Sequence, residues 1–164
     1  MLTGRLHLEP LQVEHAEEML PVLAAPELYA FIGGTPPTLD ELRARYRQMV
    51  AGPPAGPSVG WLNWVLRERA AQQLIGTVQA TIWTEPVWPA DAAALRASVA
   101  WVVGTAWQGR GYATEAAQAL IGWLRGHGVA NVTASIHPGN TASGTVARRA
   151  GLVPSSDVVD DEVV

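Results

Sequence analysis

The run Gln108, Gly109, Arg110, Gly111, Tyr112, Ala113 and Thr114 joins an apolar strand-like stretch, Ser98 to Val103, to a helix-like stretch that reaches Arg125. Its two glycines remove the Cβ obstacle, so successive backbone amides can turn toward one point. Such a nest at a helix start binds anions, phosphates above all, because orphan N–H groups and the helix dipole act together. The chemistry implied is the holding of a phosphate-bearing molecule.

Spacing separates the kinds of phosphate turn. A Walker A loop ends in Gly-Lys-Ser/Thr, and this chain contains no lysine. A dinucleotide fingerprint sits in an early strand-helix-strand unit, with Gly or Ala closing it and an acid about 20 residues on. Here the turn comes late, Thr114 occupies the closing position, and no acid follows at the right place. What remains is Q-x-x-G-x-A, read at Gln108, Gly111 and Ala113, with Glu115 in the first turn of the helix.

That pattern resembles the acetyl-CoA signature of the GNAT N-acetyltransferase superfamily, and WQGRGYATEA is similar to the form found in the branch of ribosomal-protein alanine N-acetyltransferases. A second match follows one strand later. Asn140, Ser143, Val146 and Gly151 in NTASGTVARRAGL fit the N-x-x-S-x-x-V-x-x-x-x-G pattern of the same superfamily. Two motifs in this order are far more specific than either alone.

The resemblance implies roles for individual residues. Amides from Gln108 to Ala113 would hold the CoA pyrophosphate, with Arg110 as a charged partner. Thr114 would give its hydroxyl to a phosphate oxygen or cap the helix. Trp101, Val102 and Val103 would pair with the pantetheine arm like an added strand, one of their amides stabilising the tetrahedral oxyanion. Asn140 is either a CoA contact or an N-cap. Ser143 would protonate or hydrogen-bond the leaving thiolate, since Ala147 stands where many relatives carry a tyrosine; otherwise it is a small residue that permits close packing. Many relatives also place a glutamate where this chain has Ser98. That leaves Glu85, Glu27 and His137 as candidates for accepting the amine's proton, or a water relay alone.

The elements that must position these groups follow from periodicity. Arg5 to Glu9 alternates as a short strand, with Leu6 and Leu8 on the inner face. Leu11 to about Ala24 has the helical period, interrupted at Pro21. Ala25 to Pro37 reads as a loop. Thr38 and Glu41 stand in the capping-box relation at the head of a helix stopped by GPPAGP. Val59 to Leu66 and Leu74 to Trp83 form a hairpin, in which Leu74, Gly76, Val78, Ala80 and Ile82 share one face. Thr84 to Arg96, with Pro86 and Pro89, reads as a long binding loop. A strand from Val129 to Ile136 and a helix from Thr141 to Ala150 follow.

The expected fold is thus an α/β (α+β) GNAT-like single domain over residues 1–164. It has a mixed sheet of about six to seven strands, splayed at the fourth and fifth, flanked by about four helices. The final strand is expected to be short or truncated, and either frayed or completed by a second copy in a homodimer.

Composition narrows the chemistry. The chain has no cysteine, which excludes disulfides, zinc thiolates and a cysteine nucleophile and favours direct transfer without an acyl-enzyme. The formal charge of −4, from 15 acidic and 11 basic side chains, argues against a nucleic-acid surface. No metal site is expected. MLTGRLHLEP lacks a signal-peptide pattern and no apolar run would span a bilayer, so a soluble cytoplasmic protein is expected. The function implied is transfer of acetyl from acetyl-CoA to a primary amine, on a small molecule or a protein N-terminus. The alternatives are a non-catalytic acyl-CoA-binding module and a nucleotide-binding fold.

Overall fold

The computed structural model describes residues 1–53, 59–87, 92–156, 158–159 and 162–163. β1 (Leu6–Pro10) forms because its alternation puts Leu6 and Leu8 into the core with no exposed surface and leaves His7 and Glu9 outward. It pairs antiparallel with β2 (Val59–Glu68), which pairs antiparallel with β3 (Gln73–Val87). β3 pairs antiparallel with β4 (Ala92–Val103), and β4 runs parallel to β5 (Val129–Thr133). The sheet is mixed and five-stranded, in sequence order, rather than six- or seven-stranded as expected. Among the described residues, β6 (Val158–Val159) and β7 (Glu162–Val163) pair with each other as a two-stranded ribbon.

The helices number five among the described residues, one more than expected, because the segment after Ala25 is not all loop. Pro26–Leu28 makes a 3-10 turn that runs into α2 (Tyr29–Ile32). α1 is confined to His15–Met19, since Pro21 lacks the N–H that would continue the ladder. α3 (Leu39–Ala51) starts on the anticipated reciprocal cap, with Thr38 Oγ1 accepting from Glu41 N and the Glu41 carboxylate accepting from Thr38 N at 2.7 Å. α4 (Tyr112–Gly126) and α5 (Thr141–Arg149) complete the set.

Two cores sandwich the sheet. On one side α4 buries Ala116, Leu120 and Leu124 against Leu8, Leu66, Val78 and Val99. On the other, α1 and α3 bury Met19, Leu42 and Tyr46 against Val65 and Leu74. Leu74 therefore lies opposite to the face expected for it. The register slips between Leu66↔Gly76 and Arg67↔Leu74, leaving Ile75 as the extra residue of a bulge, and a bulge reverses the side to which preceding residues point.

The expected loop from Thr84 to Arg96 is mostly strand. β3 continues to Val87 and β4 begins at Ala92, with Glu85 opposite Ala94 and Pro86 opposite Ala93. Among the described residues the ladder to β2 ends at Val59↔Trp83, while the ladder to β4 continues to Val87↔Ala92.

Candidate functional site

The feature that makes a site is where pairing stops. β4 and β5 share a ladder from Leu95↔Val129 to Ser98↔Thr133, and there β5 ends. Among the described residues, residues 99–103 of β4 pair with β3 alone. Their second edge opens a slot between β4 and the segment leading to α5, as the expected splay of fourth and fifth strands requires. Ser98 is the last paired residue of β4 on the β5 side.

Gly76 permits the close strand approach behind this slot. A Cβ there would lie 2.2 Å from the Val102 carbonyl oxygen, a contact no side chain can make. Beyond Val103 the chain turns through a 3-10 turn at Thr105–Trp107, and the Gln108 side chain donates back to the Val103 carbonyl at 2.9 Å. Gln108 thus fastens the turn to the strand that precedes it.

Gly109 and Gly111 have φ of 74° and 81°, the left-handed region that only glycine enters freely. Gly111 is the N-cap of α4 and no side chain caps this helix, so Thr114 does not take the capping role open to it. The helical ladder starts with Glu115 N donating to the Gly111 carbonyl at 3.0 Å. The amides of Tyr112, Ala113 and Thr114 precede it and point out of the helix end.

These pieces line a cavity of about 470 Å³. Its walls include Trp101, Val102 and Val103 from β4, and Gln108, Gly109, Gly111, Tyr112, Ala113 and Thr114 from the turn. Asn140, Ser143, Val146 and Arg149 come from α5 and its cap. Arg110 does not line it: its side chain is exposed and its carbonyl faces away, toward Arg5. Asn140 is the N-cap of α5, its Oδ1 accepting from Ser143 N at 3.0 Å while the residue also faces the cavity. The Ser143 hydroxyl has no hydrogen-bond partner among the described residues, so it is free to serve a ligand.

The remaining candidates separate. Glu27 is the only carboxylate on the cavity wall among the described residues, and Leu28, Phe31 and Ile32 stand beside it. Phe31 and Ile32 stay 44% and 54% exposed. His137 is not on the wall; its Nδ1 accepts from Gly139 N at 3.0 Å and its ring packs on Phe31 at 5.4 Å between centroids. Glu85 lies in β3, and its side chain is outside the described residues.

Sequence reasoning missed Arg5 altogether. Its guanidinium bonds to Glu115 through Nε and Nη2, both at 2.7 Å, and to the Arg110 carbonyl through Nη1 at 2.9 Å, while lying 4.5 Å above the Tyr112 ring. Burial pushes the Glu115 carboxyl up, but bonds from Thr3 and from the Arg5 amide and guanidinium outweigh it and hold the group below the usual glutamate range. The charges of Arg5 and Glu115 were the sole signal, and nothing in spacing links residues 110 positions apart.

Comparison with known proteins agrees with this geometry. A family model described as an acetyltransferase (GNAT) domain matches residues 5–153. The fold is similar to a GNAT-family acetyltransferase from Bacillus anthracis, with a TM-score of 0.71 at 17% identity, covering 99% of this chain and 92% of that one. It is also similar to RimL, a ribosomal L7/L12 α-N-protein acetyltransferase solved with coenzyme A, with a TM-score of 0.74 at 13% identity, covering 99% and 91%. The aminoglycoside acetyltransferase AAC(6')-Ib, solved with acetyl-CoA, gives 0.74 at 18% identity, covering 98% and 91%. None of the curated proteins matches the chain in sequence.

Proposed function

Because the chain belongs to the GNAT family of acetyltransferases, whose model spans residues 5–153, we propose that it moves acetyl from acetyl-CoA directly onto a protein or peptide N-terminal amine, in a ternary complex. The observation that carries this reading is the slot. Among the described residues, residues 99–103 of β4 have no strand partner on the β5 side, and Trp101, Val102 and Val103 border one cavity with the first amides of α4.

In this reading the pyrophosphate rests on the amides from Gln108 to Thr114, favoured by the α4 dipole. The pantetheine arm runs along Trp101, Val102 and Val103 and takes the place of the missing strand partner. The amine nitrogen attacks the thioester carbon, an amide of that edge stabilises the oxyanion, and the carbon–sulfur bond then breaks. Ser143 donates a hydrogen bond to the departing thiolate, from a helix turn fixed by the Asn140 cap.

The amine must lose a proton on attack. Glu27 is the carboxylate placed on the cavity wall to take it, directly or through water, with Glu85 of β3 as the second carboxylate in the proposal. An α-amine has an ordinary pKa near 8, so little base strength is required. An N-terminus, with a single charge, also suits a wall that places Glu27 beside Phe31 and Ile32 better than a polycation does.

The test is thiol release from acetyl-CoA with a panel of amines: peptides with free N-termini, polyamines, amino acids and an aminoglycoside. Release is expected with free peptides and not with the same peptides N-terminally blocked. Release only with polyamines or the aminoglycoside would overturn the acceptor class. Tight CoA binding without turnover on any amine would overturn catalysis and leave a CoA-binding module.

A further inference from the structure

Arg5 stands at the start of β1, far in sequence from the turn, and every polar group of its side chain is engaged there. We propose that Arg5 is a positioning residue for the donor, holding the phosphate turn in the conformation that presents its amides to the CoA pyrophosphate. The proposal rests on the reading that this turn holds the pyrophosphate.

The argument starts from the Arg110–Gly111 peptide. Its plane turns on ψ of Arg110 and φ of Gly111, and Gly111, at φ 81°, tolerates either sign, so the plane has little intrinsic preference. In a planar trans peptide the carbonyl of one residue and the amide of the next point in opposite directions. Arg5 Nη1 draws the Arg110 carbonyl toward itself at 2.9 Å, away from the cavity. The Gly111 amide of the same peptide is thereby sent the other way, and Gly111 lies on the cavity wall. Were the plane to flip, a carbonyl oxygen would face the phosphates in place of an N–H donor.

The second function of the contact is electrostatic. Glu115 sits in the first turn of α4, where its charge favours the helix but opposes a bound diphosphate. Arg5 meets that carboxylate with Nε and Nη2 at 2.7 Å, and Thr3 Oγ1 and Arg5 N bond it at 2.6 and 2.8 Å. The pair is neutral as a unit. Its fixed orientation is completed by stacking of the guanidinium over Tyr112, whose backbone begins the helix. Arg5 itself is not on the cavity wall, so it acts through the turn and not on the ligand.

The test compares kcat/KM for acetyl-CoA with that for S-acetylpantetheine, which lacks the pyrophosphate. Arg5→Ala is expected to lower kcat/KM for acetyl-CoA by about tenfold or more, through KM, while the ratio of wild type to variant on S-acetylpantetheine stays near one. Arg5→Lys is expected to fall close to Arg5→Ala, because an ammonium cannot bridge Glu115 and the Arg110 carbonyl as a planar fork does. If Arg5→Ala fails to fold, Arg5→Lys carries the comparison, with a donor-selective loss expected. Equal loss on both donors, or none on either, overturns the proposal. Calorimetry of wild type with CoA separates the two levels. No binding by wild type refutes the pyrophosphate reading itself, and normal binding by wild type and variants alike refutes the role of Arg5 alone.

Discussion

At the residue scale, the hydroxyl of Ser143 is the sharpest claim. It faces the cavity, its own amide is used by the Asn140 cap, and its hydroxyl has no partner among the described residues. Ser143→Ala should therefore leave folding and CoA affinity near wild type and lower kcat on the order of a hundredfold, the lower end of general acid contributions, since a thiolate already leaves well. Single-turnover rates at saturating acetyl-CoA measure this, and an unchanged rate would remove Ser143 from the mechanism. Asn140 and Ser143 were legible because the cap and the motif use the same residues, so either reading of Asn140 leads to the same position. Gly109 and Gly111 were legible because a turn at positive φ needs glycine whatever it binds. Arg5 was not, because a guanidinium on the polar face of a strand looks the same whether it meets solvent or a partner from a distant helix.

At the element scale, the proposed function depends on β4 being paired fully on one side and only halfway along the other. Gly76 is what lets β3 lie close enough behind Val102 and Val103 to keep that strand straight at the slot. Gly76→Ala would drive a Cβ into the Val102 carbonyl oxygen, so β3 or β4 must shift. The expected cost is about 1–3 kcal/mol of stability, with a loss of acetyl-CoA affinity alongside it because Val102 and Val103 line the slot. Denaturant unfolding and CoA titration of the same variant check both, and a variant as stable as wild type would show that the sheet relaxes freely there. The capped helix α3 and the β2–β3 hairpin were legible since each rests on local pattern. The Thr84 to Arg96 stretch was misread because its prolines signal a loop. Only the register shows that the stretch pairs with β4, with Pro86 opposite Ala93. The Ile75 bulge was hidden for a related reason: alternation continues unbroken in the sequence while the pairing slips.

At the scale of the whole molecule, pH divides the stabilising interactions into an acid arm and an alkaline arm. Burial pushes Glu9 up, but the hydrogen bonds and charge of Arg67, with His7 and His15 near, hold it below its ordinary range. Hydrogen bonds from Arg67 hold Glu18 low against burial, and Glu115 is held low as described. Each of these carboxyls binds its proton more weakly folded than unfolded, so its contribution is complete above the ordinary glutamate value and is lost as pH falls through the folded values. Stability should be flat from neutrality down to about pH 5 and fall below it. The alkaline arm is unusually clean, because with neither lysine nor cysteine in the chain, the tyrosines are the side chains left to titrate there. Burial pushes the Tyr46 hydroxyl up to about 12, and that hydroxyl is buried without a hydrogen-bond partner among the described residues. A raised folded value means that the neutral phenol favours the native state, so stability is whole below the unfolded value near 10 and declines as pH rises toward 12. Tyr46→Phe removes both the unpaired hydroxyl and the titration. It should leave stability at pH 7 equal to or above wild type, since an unsatisfied buried hydroxyl costs about 1–3 kcal/mol, and it should push alkaline unfolding to higher pH. Melting temperatures of wild type and variant between pH 4 and 12 test both arms. A Tyr46→Phe variant that melts lower at pH 7 would mean that the hydroxyl has a partner, a water included, that stabilises the contact between α3 and the sheet.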